Sequence, residues 1–132
     1  MTVFCTYCSA EKDRSQGELP AIQRYWSHRI KSVYVAALSL DLKFLILSGK
    51  YGILEPSEPI AYYDHLLQSS EVSEHSKRVA DQLEALGVKD LFFFGRSLSD
   101  DNNLKPYFDC IKIASQKAGI ELTFVDLPKN YA

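Results

Sequence analysis

Three uninterrupted apolar segments separated by amphipathic ones predict a three-layer α/β domain, with a mainly parallel central sheet, over residues 1–132. The segments are residues 2–7 (TVFCTY), 43–47 (KFLIL) and 91–94 (LFFF). Continuous apolarity of this kind fits strands covered on both faces, where an open sheet would alternate. The length suits one domain and is enough to bury a core without disulfides.

Each element follows in chain order. Residues 2–7 are β-branched and aromatic and read as a buried first strand. Residues 8–18 form a polar loop. Pro20 then suits the first turn of a helix reaching about residue 41. Along it Ile22, Trp26, Ile30, Val33 and Ala37 make one apolar stripe, which places Trp26 in the core. After the second strand, residues 48–68 read as a long loop, with a short helix near its end. Ser70 with Ser73 or Glu74 resembles a capping-box start. The following helix carries Val79, Leu83 and Leu86 and stops at Gly87. The third strand ends at Gly95-Arg96-Ser97, residues 104–117 form a helix closed by Gly119, and residues 121–127 (ELTFVDL) form the last strand. Right-handed crossovers then put the loops after Tyr7, Leu47 and Phe94 on one edge of the sheet. That edge is where open α/β sheets hold their ligands.

Composition narrows the class. Apolar residues are 46% and charged residues 24%, an ordinary balance for a soluble globule. The net charge of −2 gives no overall pull toward nucleic acid or anionic membrane. A local basic face is still possible from Lys12, Arg14, Arg24, His28, Arg29 and Lys31. No apolar run reaches the ~20 residues of a membrane helix, and the start of the chain does not read as a signal peptide. Cys5, Cys8 and Cys110 are an odd count, so free thiols in a reduced, cytoplasmic protein are expected. Cys5-x-x-Cys8 has knuckle spacing but no partner pair, so neither a metal nor a cofactor is expected.

The candidate residues cluster on those loops. In the first, Cys8 and Ser9 can aim a thiol or backbone amides into a cleft, with Lys12 adding positive charge; a buried thiol and a capping serine are the plainer reading. On the first helix Tyr25 and His28 share a face, as do Arg24 and His28. That face either lines a pocket or is simply solvated. In the long loop Ser48 and Lys50 flank Gly49, and Gly52 follows Tyr51; the two glycines permit positive φ and close backbone approach to a ligand. Neither a Walker A loop nor a dinucleotide fingerprint is present. Tyr62-Tyr63-Asp64-His65 sets aromatics beside hydrogen-bonding groups, which suits a flat heterocycle, or else forms a structural Ω-loop. Arg96 could supply a third wall. Neither a nucleophile elbow nor a zinc-deaminase signature appears.

The set Cys8-Ser9-x-x-Lys12, Pro20-Ala21, Tyr25-x-Ser27, Ile46-Leu47-Ser48-Gly49-Lys50-Tyr51-Gly52-Ile53-Leu54-x-Pro56 and Tyr63-Asp64 resembles a small family of uncharacterised bacterial and phage proteins over residues 3–100. Gly49 stands where that family has alanine, Ile53 where it has leucine, and Arg24 where leucine precedes the tyrosine. More distantly the chain is similar to the YaaA peroxide-stress proteins. Over one loop and helix it is similar to archaeosine synthase, with a different Tyr25-to-Ser27 spacing. These resemblances imply a Rossmann-like or uracil-glycosylase-like layer and a nucleobase or nucleic-acid context.

Two functions compete from this reading. One is an enzyme acting on a nucleobase, nucleoside or nucleotide, with Lys12, Lys50 and Asp64 as the catalytic candidates. Cys8, Ser9, Tyr25, Ser27, His28, Ser48, Gly49, Tyr51, Tyr63 and Arg96 would then bind the ligand. The other is a non-catalytic nucleic-acid binder or protein-interaction module, whose helix cations contact phosphates or whose loop docks a partner.

Overall fold

A computed structural model describes residues 1–128; residues 129–132 of the expected domain lie outside them. The central strand is β1 (Thr2–Tyr7). After it come β2 (Glu18–Pro20), α1 (Ala21–Arg24), α2 (His28–Ser39), β3 (Lys43–Ser48), β4 (Gly52–Leu54) and β5 (Pro59–Ala61). The chain continues through a 3-10 turn, Ser69–Glu71, to α3 (Val72–Ala85), β6 (Asp90–Gly95), α4 (Lys105–Ala118) and β7 (Glu121–Asp126). One five-stranded sheet has the order β4-β3-β1-β6-β7, and β2 pairs with β5 in a separate two-stranded sheet. Strands β3, β1, β6 and β7 are parallel, and only β4 runs back antiparallel on β3. The chain is therefore mixed α/β with a mostly parallel sheet, as its apolar runs predict.

Strand pleating distributes the helices. Phe44, opposite Phe4 in the register, packs on Tyr34 of α2. Phe93, opposite Cys5, packs on Phe108 of α4 and so lies on the other face. Helices α3 and α4 pack on each other, while α2 packs on β1 and β3. Val3, Cys5, Leu45, Leu47, Leu91 and Phe93 are completely buried. Coverage is less complete than the sequence implies. Phe4, Phe92 and Phe94 form a half-buried aromatic row, and β7 has no fully buried residue. Helix α2 packs on β1 and β3, which leaves β6 and β7 less covered on that face.

Three local expectations need correction. The expected helix from Pro20 is two helices. Ser27 is extended, with φ −151°, and its Oγ accepts the Ile30 N–H at 3.1 Å, so a new helix begins at His28. The break changes the helical phase and turns Trp26 outward, 56% exposed, where one continuous stripe would have buried it. The loop after β3 contains two short strands. The capping box lies at Gln68 and Glu71, not at Ser70, because the Glu71 carboxylate accepts the Gln68 N–H at 2.9 Å. Gly87 and Gly119 do end their helices, with φ of 75° and 68°.

The topology positions the site. From β1 the chain crosses to β3 on one side and later to β6 on the other. The connection leaving β1 runs to β3 on one side, and the one leaving β6 runs through α4 to β7 on the other. They diverge between the carboxyl ends of β1 and β6, the switch point where such sheets open a crevice. Among the described residues no helix is long and apolar enough to cross a membrane.

Candidate functional site

A cavity of about 380 Å³ opens at that switch point. The end of β1 and its loop supply Tyr7, Cys8, Ser9 and Lys12. The start of α2 supplies Trp26, Ser27 and Arg29, and the segment 64–66 closes the opposite wall. Arg96 enters from the end of β6 and Tyr107 from α4. The break between α1 and α2 builds one wall directly. The Trp26 N–H donates to Glu11 O at 2.9 Å and the Asp13 N–H to Arg24 O at 2.8 Å, so Lys12 is bridged against Tyr25.

Arg29 is the most constrained cation here, only 2% exposed. Its guanidinium donates to Thr6 Oγ1 at 2.6 Å, Tyr7 O at 2.7 Å and Cys8 O at 3.2 Å, and lies 3.7 Å from the Tyr7 ring centroid. All of these partners are uncharged. Burial lowers its pKa to about 10, with Arg96 adding to the effect, so it remains a cation at neutral pH. Arg24 is also buried, but its donors reach the carbonyls of Asp13, Ser15, Gly17 and Ile60, and it braces the first loop against β5. The local basic face that the sequence allows is thus depleted, because Arg24 and Arg29 are buried.

Behind the cavity lies a hydroxyl cluster. Tyr63 Oη hydrogen-bonds Tyr25 Oη at 2.5 Å and Ser48 Oγ at 2.7 Å. Ser48 Oγ also accepts the Lys50 and Tyr51 N–H groups at 3.1 and 3.0 Å, which sets the turn after β3. Burial raises the pKa of Tyr25, Tyr63 and Tyr107, and the neighbouring Cys8 pushes in the same direction, so these phenols stay protonated. Lys12, 6% exposed, places Nζ 4.7 Å from the Tyr63 ring centroid. Burial lowers its pKa; Cys8 and Asp64 partly oppose this. Cys8 Sγ lies 3.7 Å from Tyr107 Oη, which in turn accepts the Leu67 N–H at 3.1 Å.

A broader groove of about 910 Å³ lies on the other side of the 64–65 segment, lined by Gly49, Lys50, Tyr63, His75 and Arg78 among others. Lys50 is exposed, with Nζ 5.3 Å from the Tyr51 ring centroid, and its carbonyl accepts from Arg78 at 2.9 Å. His75 Nε2 lies 2.8 Å from Ser48 O, which makes it the donor. Burial lowers the His75 pKa, and that bond only partly restores it.

The expected residues therefore divide. Cys8, Ser9, Lys12, Ser27, Asp64 and Arg96 line the cavity. Gly49, Lys50 and Tyr63 line the groove, and Asp64 borders both. Tyr25, Ser48 and Tyr51 line neither, and His28 is exposed outside both. The glycines of the turn serve the protein itself. A Cβ on Gly49 would sit 2.9 Å from Tyr107 Oη and 3.1 Å from His65 O, and Gly52 has φ +77°. Sequence reasoning passed over Arg29, Tyr7 and Tyr107 as site residues. For Arg29 a signal existed: it lies four positions before Val33, on the edge of the buried stripe.

A model of DUF6884, a family of unknown function, matches residues 4–95, and the chain belongs to that family. The match spans the first loop, the turn after β3 and the strands flanking β1, and ends at the last residue of β6. No curated protein and no solved structure matches the chain.

Proposed function

We propose that this DUF6884 member binds a nucleobase, nucleoside or nucleotide in the cavity at the carboxyl ends of β1 and β6. One observation carries the reading. At the topological switch point, a cavity of ligand size combines aromatic walls (Tyr7, Trp26, Tyr107) with cations and a carboxylate (Lys12, Arg29, Arg96, Asp64). Aromatic faces suit a planar base, and the polar groups suit its edge, its ribose or its phosphate. Ser9 and Lys12 hold the base or sugar. Asp64, exposed at the rim, accepts from a base amine or a ribose hydroxyl. If the ligand is chemically altered, Lys12 is the proton carrier, since a buried ammonium with a lowered pKa gives up its proton more readily.

The same reading takes the architecture as a three-layer Rossmann-like domain related to the YaaA proteins and working in the cytoplasm. A free nucleotide is favoured over a long strand. Arg24 and Arg29 are buried, which removes two cations from any helix face that would follow a phosphate backbone.

The test uses the chain's single tryptophan, which lines the cavity and is still 56% exposed. Nucleobases, nucleosides, nucleoside monophosphates and a short single-stranded oligonucleotide are titrated against Trp26 emission, with thermal midpoints measured in parallel. A saturable emission change with a raised midpoint for at least one of the small ligands is expected. No response to any of them contradicts the proposal, and a response to the oligonucleotide alone moves the function to strand binding.

A further inference from the structure

We propose that Arg29 and Arg96 form an anion subsite in this cavity, and that the group it takes is a phosphate. This rests on the reading of the cavity as a nucleotide site and goes further, because it requires a charged ligand where a neutral base or nucleoside would otherwise suffice.

The inference starts from unpaired charge. Arg29 is buried, and its partners are a hydroxyl, two carbonyls and a ring face. Its Nε has no partner. Arg96 follows β6, its backbone N–H donating to Tyr7 Oη at 3.2 Å, and its Nε is likewise buried without a partner. Among the described residues the ion pairs are Lys43–Glu55, His65–Glu71, Lys77–Glu74 and Lys105–Asp109, and none includes either arginine. Two neighbouring guanidinium groups therefore line one cavity, and among the described residues no carboxylate forms an ion pair with either. A buried charge is costly unless an opposite charge meets it, so an arriving anion gains what the empty site lacks.

The donor chemistry selects the anion. Guanidinium forks match the oxygens of phosphate, and Lys12 in the same cavity is a third cation. Three carboxylates, Glu11, Asp64 and Asp101, also line the cavity, and each is engaged with a group other than the two arginines. Glu11 and Asp64 both act on Lys12, and the Asp101 carboxylate accepts the Asn103 N–H at 2.9 Å in its own turn. The rigidity of Arg29 also fits: tied to the end of β1 by three bonds, it is already in place when a ligand arrives.

The experiment is calorimetric titration of the full chain with four nucleoside monophosphates, the matching nucleosides and inorganic phosphate. At least one monophosphate is expected to bind about tenfold or more tighter than its nucleoside, which is what a charge-assisted contact supplies. Arg96→Met is expected to erase that advantage while the thermal midpoint stays near wild type, since the main-chain bond to Tyr7 survives. Arg29→Met would also cut the braces on β1, so Arg29→Lys and Arg96→Lys, which keep the charge and lose the fork, are the graded companions. They should weaken monophosphate binding and leave nucleoside binding intact.

Equal affinity for nucleosides and monophosphates, with Arg96→Met unchanged, overturns the subsite and leaves the nucleobase reading standing. Phosphate binding that depends on Arg96, without nucleoside or nucleotide binding, supports the subsite and removes the nucleobase. No binding of any probe overturns both.

Discussion

Replacing Tyr63 by phenylalanine removes one oxygen from the centre of the buried hydroxyl cluster. Tyr63 is 5% exposed, and Tyr25 and Ser48 are completely buried. The lost oxygen bonds Tyr25 Oη and Ser48 Oγ, at 2.5 and 2.7 Å. Ser48 keeps the N–H donors of Lys50 and Tyr51, so its loss is one ordinary bond of about 1 kcal/mol. The Tyr25 hydroxyl loses its closest partner in a site water does not reach, which costs about 1–3 kcal/mol. The sum is about 2–4 kcal/mol. With a urea slope of about 2 kcal/mol per M, the midpoint should fall by about 1–2 M with the slope unchanged. Equilibrium urea unfolding followed by far-UV circular dichroism measures it. A loss below about 0.5 kcal/mol, the range of surface substitutions, would refute a sealed hydroxyl network and return Tyr63 to an accessible, ligand-facing role.

Gly52→Ala should destabilise by about 2 kcal/mol, read as a lower thermal midpoint. It forces a side chain to φ +77° and displaces the Gln82 carboxamide that bonds Ile53 N–H and Tyr51 O. Stability should fall as pH drops below about 6.5. Burial depresses the folded-state pKa of His75, so the unfolded chain takes up its proton first, and His75→Gln should flatten that slope in pH-dependent urea unfolding. Lys50→Met should change stability by less than about 1 kcal/mol, because the side chain is exposed beside Tyr51. Its effect on nucleotide affinity should be smaller than that of Arg96→Met, because Lys50 lines the groove and Arg96 the cavity.

The strands were readable because burial leaves a direct mark on composition. TVFCTY and KFLIL have hydrophobic neighbours above and below, and their parallel pairing follows from the helices between them. The edge that carries the cavity was readable from the same order of elements. What escaped depends on contacts distant in sequence. Trp26 fits a helical stripe perfectly well until Ser27 starts a new helix and the Glu11 carbonyl takes the Trp26 N–H. The sequence allows Arg29 a place on a basic face, since a charge in a helix is usually solvated. Its burial depends on carbonyls at the end of a strand more than twenty residues earlier. The Ser48–Gly52 turn was recognised as special, yet much of its chemistry faces inward. Ser48 organises the turn, Gly49 admits Tyr107 and the backbone near His65, and Gly52 makes room for Gln82. Polar and glycine-rich loops can be conspicuous because the protein packs against itself there, and sequence alone does not separate that from packing against a ligand.

Crystals grown with a saturating nucleoside monophosphate test the central claim most directly. The account predicts density in the cavity at the ends of β1 and β6, with the base against Tyr7, Trp26 or Tyr107. A phosphate oxygen should lie within about 3.2 Å of a guanidinium nitrogen of Arg29 or Arg96. Ligand seated in the Lys50–Arg78 groove with the cavity filled only by water would contradict it.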